Sequence, residues 1–201
     1  MSRKVLDLLT STGGAVVVVV LVVAGGLLVW GHSFVNSNVR SQLAEQQIFF
    51  PSKAAFAHPN GTEITKSMTP TVSQYAGEQL LTGAQAKVYA NDFISVHLSE
   101  MPDHGLYSKL SAAVVADPGN AKLAAVKDAS FTGTTLRGLL LEGYAFSKIG
   151  TLMMLGAIAS FILAAIMALL VGLGLWHAGR TAVETQLLRS KATNATPVPV
   201  T

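Results

Sequence analysis

The residues best suited to chemistry lie in the segment HLSEMPDH, which contains His97, Glu100 and His104. Positions 97, 100 and 104 share one face of a helix. Two imidazoles and one carboxylate are the ligand set of non-haem iron and of many zinc sites. Pro102 interrupts that face, however, and the spacing matches no strong metal motif. The three residues are therefore weak metal candidates, and a polar helix end that faces water is the simpler interpretation.

Other signatures of chemistry are missing from the sequence. The chain has no cysteine, which excludes disulfides, thiolate metal sites and cysteine nucleophiles. It contains neither a phosphate-binding glycine loop nor a nucleophile elbow. We therefore expect no catalytic residue and no cofactor. The protein is predicted not to be an enzyme, and a metalloenzyme is the remaining enzymatic alternative.

Two long apolar runs are the main features of the sequence that surrounds these candidate residues. Residues 13–31 and 149–176 contain no charged side chain, and only 12% of the whole chain is charged. A helix of about 20 apolar residues is long enough to cross the hydrocarbon layer of a bilayer. The first run is longer than a signal-peptide core and lacks a good cleavage site. We therefore predict two membrane-spanning helices, the first of them an uncleaved anchor.

The distribution of charge predicts the orientation of these helices. Residues 1–12 carry a net charge of +1 and residues 177–201 a net charge of +2, so the tails hold the entire formal charge of +3. Because positive residues are retained in the cytoplasm, both tails are predicted to be cytoplasmic and residues 32–148 extracytoplasmic. The end of the second tail is predicted to be disordered. A basic balance this small does not indicate a nucleic-acid partner.

Residues 32–148 are predicted to form an all-α helical bundle carried by two antiparallel transmembrane helices. The first helix is expected to continue outward to about residue 47, followed by an irregular connection over 48–70. Further helices are predicted at 70–81, where Gly83 acts as the stop, and at 84–101, 106–116 and 121–130. A last helix is expected to begin near residue 135 and to run into the second membrane segment.

Small residues recur every four positions in the second membrane segment. They are Gly156, Ser160, Ala164, Ala168 and Gly172. Rows of small residues allow helix backbones to approach closely in a membrane. The first membrane segment offers Gly25 and Gly26 for such packing. We expect Gly156 and Ser160 to pack on Gly25 and Gly26, and Ala168 and Gly172 to be left for a partner protein.

Several segments resemble a family of small two-span membrane proteins of actinobacteria. They are GHSFVN at 31–36, QQIFFP at 46–51, YAGEQLLTGAQAKVYANDFI at 75–94, HL at 97–98 and LRGLLLEGYAF at 136–146. The likeness covers about residues 5–180. Some members of that family are automatically labelled aromatic ring-opening dioxygenases, an activity that would need an iron site. The resemblance itself implies a bacterial plasma-membrane protein with no assigned reaction.

These observations favour a non-enzymatic protein that acts through other proteins. We expect an accessory or assembly subunit of a larger membrane complex, for example a respiratory or transport assembly. Its partners would be the lipid bilayer and integral membrane proteins. The alternative is an extracytoplasmic sensor or ligand-binding module with a separate output partner, because two spans that flank a helical domain are also the layout of chemoreceptor-type input domains.

Cysteine labelling of this cysteine-free chain tests the topology. An impermeant thiol reagent applied to intact cells should modify the variants Ser73→Cys and Lys122→Cys and spare Ser190→Cys. After the cells are permeabilised, all three variants should be modified. Modification of the tail variant alone in intact cells would reverse the predicted orientation.

Overall fold

The computed structural model describes residues 3–59 and 64–180, and the expectations for residues 1–2 and for the tail beyond Arg180 lie outside these ranges. The α-helices are α1 (Arg3–Glu45), α2 (Lys53–Ala57), α3 (Thr69–Val72), α4 (Gly83–Val88), α5 (Ser95–Glu100), α6 (Tyr107–Ala116) and α7 (Ala121–Arg180). Short 3-10 turns lie at Ser73–Tyr75 and Pro102–Gly105, and a π-helical turn at Tyr89–Ile94. Within these ranges there is no β-strand, so the predicted all-α class is confirmed there.

The first apolar run belongs to one long helix. α1 has 43 residues, which corresponds to about 65 Å at 1.5 Å per residue. The prediction that this helix continues beyond the apolar run to about residue 47 is confirmed. It ends where Gln47 adopts a φ of 51°, since a left-handed residue commonly terminates a helix.

The second apolar run also belongs to one helix, and the prediction of two separate helices at 121–130 and from about 135 is wrong. α7 has 60 residues, or about 90 Å. The predicted break contained Gly133, but this glycine lies inside the helix against the side chain of Leu98. A Cβ on Gly133 would lie 2.9 Å from Leu98 Cδ2. Glycine at this position therefore provides room for a neighbour and does not end the helix.

Both helices α1 and α7 are long and apolar enough to cross a membrane. Each contains a stretch with a mean hydropathy of 2.6. Among the described residues these are the two helices that meet this criterion.

The helix predicted over 70–81 is present only in its first part, because it begins at Thr69 with Pro70 in its first turn but is shorter than predicted. Helical backbone ends at Tyr75, and Gly77 follows with a φ of +79°. Gly83 was expected to stop this helix, but it is the first residue of α4. The preceding Thr82 caps α4, because its Oγ1 accepts from the Gln85 N–H at 3.3 Å while Gln85 Oε1 accepts from the Thr82 N–H at 3.0 Å. This capping box is readable in the sequence as Thr-x-x-Gln.

The helices predicted at 84–101 and 106–116 are present. The first comprises α4, the π-helical turn and α5, and it ends before Pro102. The second is α6, which runs over Tyr107–Ala116. The connection 48–70 was expected to be irregular, and it contains the short helix α2 and the beginning of α3.

The chain divides into two compact units. We call Trp30–Met154 the central unit, and the described parts of Met1–Val29 and Leu155–Thr201 the terminal unit. The central unit has a hydrophobic core with fully buried Met68, Val72, Leu80 and Leu140. This core combines side chains from α3, α4, α5 and α7 with side chains from the connection 48–70. The described residues of this connection, 48–59 and 64–70, are therefore part of the packed structure.

We predict that Gly83→Ala destabilises the central unit. A Cβ at this position would clash with the side chain of Ser147 and lie 3.2 Å from the Cα of Tyr144. Overpacking of this kind costs about 1–3 kcal/mol, which thermal unfolding of the detergent-solubilised chain would detect as a lower midpoint. Gly138→Ala is the control, because a Cβ there meets open space and alanine favours the helix by about 0.5–1 kcal/mol. Equal unfolding midpoints for the two variants would show that Gly83 is not in close contact with Ser147 and Tyr144.

Candidate functional site

The terminal unit is held together by a row of contacts along α1 and α7. On each helix the least exposed residues recur at alternating steps of three and four positions. On α1 they are Asp7, Ser11, Gly14, Val18, Leu21, Gly25 and Leu28. On α7 they are Ala157, Ser160, Ala164, Met167, Val171, Gly174 and Ala178. Two partly covered residues lie beside these rows, Ala24 on α1 and Gly156 on α7. A mean step of about 3.5 residues is typical of helices that pack along their length.

Glycines in these rows allow the two backbones to approach closely. A Cβ on Gly14 would lie 2.7 Å from the Cγ2 of Val171, and a Cβ on Gly25 would lie 2.9 Å from the ring of Phe161. Side-chain carbon atoms do not approach one another to such distances without a shift. The present packing therefore requires glycine at both positions.

Part of the predicted packing set lies in or beside these rows. Gly25, Ser160 and Ala164 belong to them, and Ala164 is 4% exposed. Gly156 lies beside the α7 row, where its Cβ position is 3.2 Å from a methyl carbon of Leu28. The neighbour of Gly156 on α1 is therefore Leu28 and not Gly25 or the glycine that follows it.

The rest of the predicted set lies outside the contact. Gly26 and Gly172 have no atom of a neighbouring side chain within 4 Å of the Cβ position, and Ala168 is exposed. A step of four residues exceeds the 3.6 residues of one helical turn, so a row with that step winds away from the facing helix. Alternating steps of three and four remain on one face, which is why Ala157 and Gly174 pack here although the four-step row omits them. That Ala168 and Gly172 meet a partner stays a prediction.

The weak metal candidates are not brought together as a ligand set. The Nδ1–H of His97 donates to the carbonyl of Phe93 at 2.9 Å, and that of His104 donates to the carbonyl of Ser99 at 3.1 Å. Each imidazole is thus tied to its own stretch of backbone. Throughout residues 3–59 and 64–180, no three side chains of the His, Asp and Glu types are grouped so that they could hold a metal ion. His97, Glu100 and His104 therefore offer no assembled site.

A different histidine links α1 and α7 within the central unit. The Nδ1–H of His32 donates to the carbonyl of Gly150 at 2.7 Å, and the side-chain amide of Asn36 donates to His32 Nε2 at 3.1 Å. The bond from His32 to Gly150 therefore joins α1 to α7 in the central unit.

An exposed patch of apolar side chains lies on the central unit, and sequence reasoning did not identify it. We call Leu106, Tyr107 and Phe131 the aromatic patch. They are 49%, 43% and 56% exposed, and the two ring centroids are 5.5 Å apart. The hydroxyl of Ser130 is buried and donates to the carbonyl of Gly105 at 2.7 Å. This bond joins the residues that precede Leu106 and Phe131, and it fixes the patch in place.

We predict that Gly14→Leu disrupts the terminal unit and that Gly13→Leu does not. Val171 is β-branched and stiff, so it cannot yield to a side chain at position 14. The expected loss is about 1–3 kcal/mol, seen as a lower thermal midpoint in detergent. Gly13 is an ideal control, because it is adjacent and its Cβ position meets open space. Equal midpoints would mean that the close contact at position 14 is absent in the folded protein.

Comparison with known proteins assigns no relative to this chain. No family model, no curated protein and no solved structure matches it. These comparisons neither support nor contradict the resemblance to two-span actinobacterial proteins, which stays a prediction. Function must therefore be argued from the chain's own residues.

Proposed function

We propose that this chain is a bacterial plasma-membrane protein with two antiparallel spans, cytoplasmic termini and an extracytoplasmic central unit. The contacts in the terminal unit support the antiparallel arrangement. Ser11 near the start of α1 lies beside Gly174, and Leu28 lies beside Gly156. Residue numbers thus rise along one helix while they fall along the other.

The exposed surface of the terminal unit supports its placement in lipid. Its apolar side chains are largely uncovered, as shown by Leu9 and Leu169, which are 67% and 70% exposed. A bilayer would cover this surface and water would not. The positive charge of both tails supports cytoplasmic termini.

The aromatic patch carries the proposal that the protein acts through a protein partner. Lipid cannot cover Tyr107 and Phe131 if the central unit lies outside the membrane. Contiguous apolar surface on a water-exposed domain marks an interaction site, and aromatic residues are enriched where interfaces contribute most binding energy. We infer a non-enzymatic accessory or assembly subunit of a larger membrane complex, for example a respiratory or transport assembly, that is bound through this patch.

Affinity purification of the full chain from mild detergent tests this function. The wild type should recover a membrane-protein partner at a fixed stoichiometry. Tyr107→Ala and Phe131→Ala should each lower that recovery by roughly tenfold or more, because a buried aromatic anchor contributes about 2 kcal/mol. Their unfolding midpoints should stay close to that of the wild type, since both side chains are half exposed.

Phe49→Ala is the matched control. Phe49 is 57% exposed, the same size as Phe131 and outside the aromatic patch, so its removal should leave partner recovery unchanged. Equal recovery from all variants would show that the patch does not bind the partner. A wild-type chain that purifies with no stoichiometric protein would contradict the accessory-subunit function itself.

A second candidate function is an extracytoplasmic ligand-binding module with a separate output partner. The observation that favours it is a cavity within the central unit. A bound small molecule recovered with the purified chain, in place of a protein partner, would support this alternative.

A further inference from the structure

The central unit contains a cavity of about 430 Å³ between residues 34–46 of α1 and residues 139–146 of α7. This volume is within the range of small-molecule sites in proteins. Its apolar lining includes Val35, Val39 and Leu139. The cavity is open to the surroundings on one side, and an apolar group of a ligand can lie against this lining.

The polar lining of the cavity is unpartnered. Asn38, Gln42 and Gln46 lie at steps of four along α1, and Glu142 lies opposite on α7. None of these four side chains makes a hydrogen bond or an ion pair with any described residue. No lysine, arginine or histidine is among the lining residues, so Glu142 is the one charged group there. Gln42, Gln46 and Glu142 are exposed and Asn38 is partly exposed, so the three amides and the carboxylate are accessible to a ligand that bears N–H or O–H donors.

One end of the cavity adjoins the apolar runs in the sequence. Phe34 follows the end of the first run by three residues, and Phe146 precedes the start of the second run by three residues; both line the cavity. Phe34 is stacked on Trp30, with ring centroids 5.6 Å apart. Tryptophan is enriched at the interface between the bilayer and water. This end of the cavity therefore belongs at the level where the headgroups of the outer leaflet lie.

We propose that the cavity binds one amphiphile from the outer leaflet, with its apolar chain against Val35, Val39 and Phe146 and a neutral or cationic polar end against Glu142. The amide row would bind hydroxyl or amine groups of that polar end, because each amide both donates and accepts. An anionic end is disfavoured, because the carboxylate of Glu142 would repel it with no cation in the lining to compensate. The proposal rests on the two-span arrangement proposed above and does not use the aromatic patch.

Gly143 provides a selective way to fill the cavity. It lines the cavity, and a Cβ there meets no neighbouring atom within 4 Å. Gly143→Leu should therefore occupy the binding space without a clash at the backbone. Gly138→Leu is the matched control, since Gly138 is on the same helix with equally open surroundings and does not line the cavity. Leucine favours a helix over glycine, so both variants should fold.

The probes are monopalmitoylglycerol, palmitate and glycerol, titrated into the detergent-solubilised full chain and followed by native mass spectrometry. The wild type and Gly138→Leu should bind one monopalmitoylglycerol per chain, and Gly143→Leu should bind it at least about tenfold more weakly. Palmitate, which has the same chain and an anionic end, should bind the wild type at least about tenfold more weakly than monopalmitoylglycerol does. In Glu142→Gln the affinities for palmitate and monopalmitoylglycerol should be closer to each other, because glutamine keeps a hydrogen-bond acceptor and removes the negative charge.

Each contrary result overturns the proposal. Equal binding of monopalmitoylglycerol by the two glycine variants would mean that the probe binds outside the cavity. Palmitate that binds as well as monopalmitoylglycerol would contradict the role of Glu142. Glycerol that binds as tightly as monopalmitoylglycerol would point to a water-soluble ligand and not to a lipid.

The same variants separate this proposal from the proposed function. If Gly143→Leu loses the co-purifying protein while the wild type binds no probe, the cavity receives a partner helix and the amphiphile proposal is wrong. If the wild type binds monopalmitoylglycerol as described but recovers no protein partner, the accessory-subunit function is wrong and the cavity proposal stands.

Discussion

The close approach of α1 and α7 is the constraint on which the rest of the molecule depends. In hydrocarbon there is no hydrophobic force between helices, so they associate only where backbones and side chains pack closely. Gly14 and Gly25 make that possible in the terminal unit, because any side chain there would collide with the facing helix. The same two helices continue into the central unit, where the bond between His32 and Gly150 joins them. The terminal unit is therefore stabilised by contacts between backbones and small side chains, whereas the central unit is stabilised by a hydrophobic core.

The central unit is stabilised by a different force, since water surrounds it under the proposed topology. Its core is built largely from short helices and from the connection 48–70, whose residues Ile64 and Met68 are almost completely buried. Burial of a large apolar side chain is favourable by about 1.5–3 kcal/mol, which offsets the entropy lost when an irregular segment is ordered. α7 contributes Leu140 to this core. α7 thus contributes to the hydrophobic core of the central unit and, further along the chain, to the helix pair of the terminal unit.

The sequence predicts the long apolar helices and the all-α class because hydropathy and periodicity are properties of the chain alone. It fails where packing decides the outcome. The predicted gap between residues 130 and 135 contains Gly133, yet this glycine packs against the side chain of Leu98 inside a continuous helix. The start of α4 was readable from the capping box at Thr82, but Gly83 was interpreted as a stop because glycine serves both ends of helices. The small residues of the second span follow a step of four in the sequence, which omits Ala157 and Gly174 from the row that packs on α1, whereas Ala168, expected to be left free by α1, is exposed.

An exposed apolar side chain has a different meaning in each unit. Under the proposed topology, exposed residues of the terminal unit such as Leu169 need no protein partner, because lipid covers them. In the central unit, exposed Phe131 costs free energy in water unless another molecule covers it. The polar groups around the cavity support the amphiphile proposal independently of the aromatic patch. An apolar chain bound in the cavity would leave Glu142 and the neighbouring amides available to the polar end of the same molecule. Both proposals therefore place function in the central unit, where the aromatic patch would bind a protein and the cavity would bind an amphiphile.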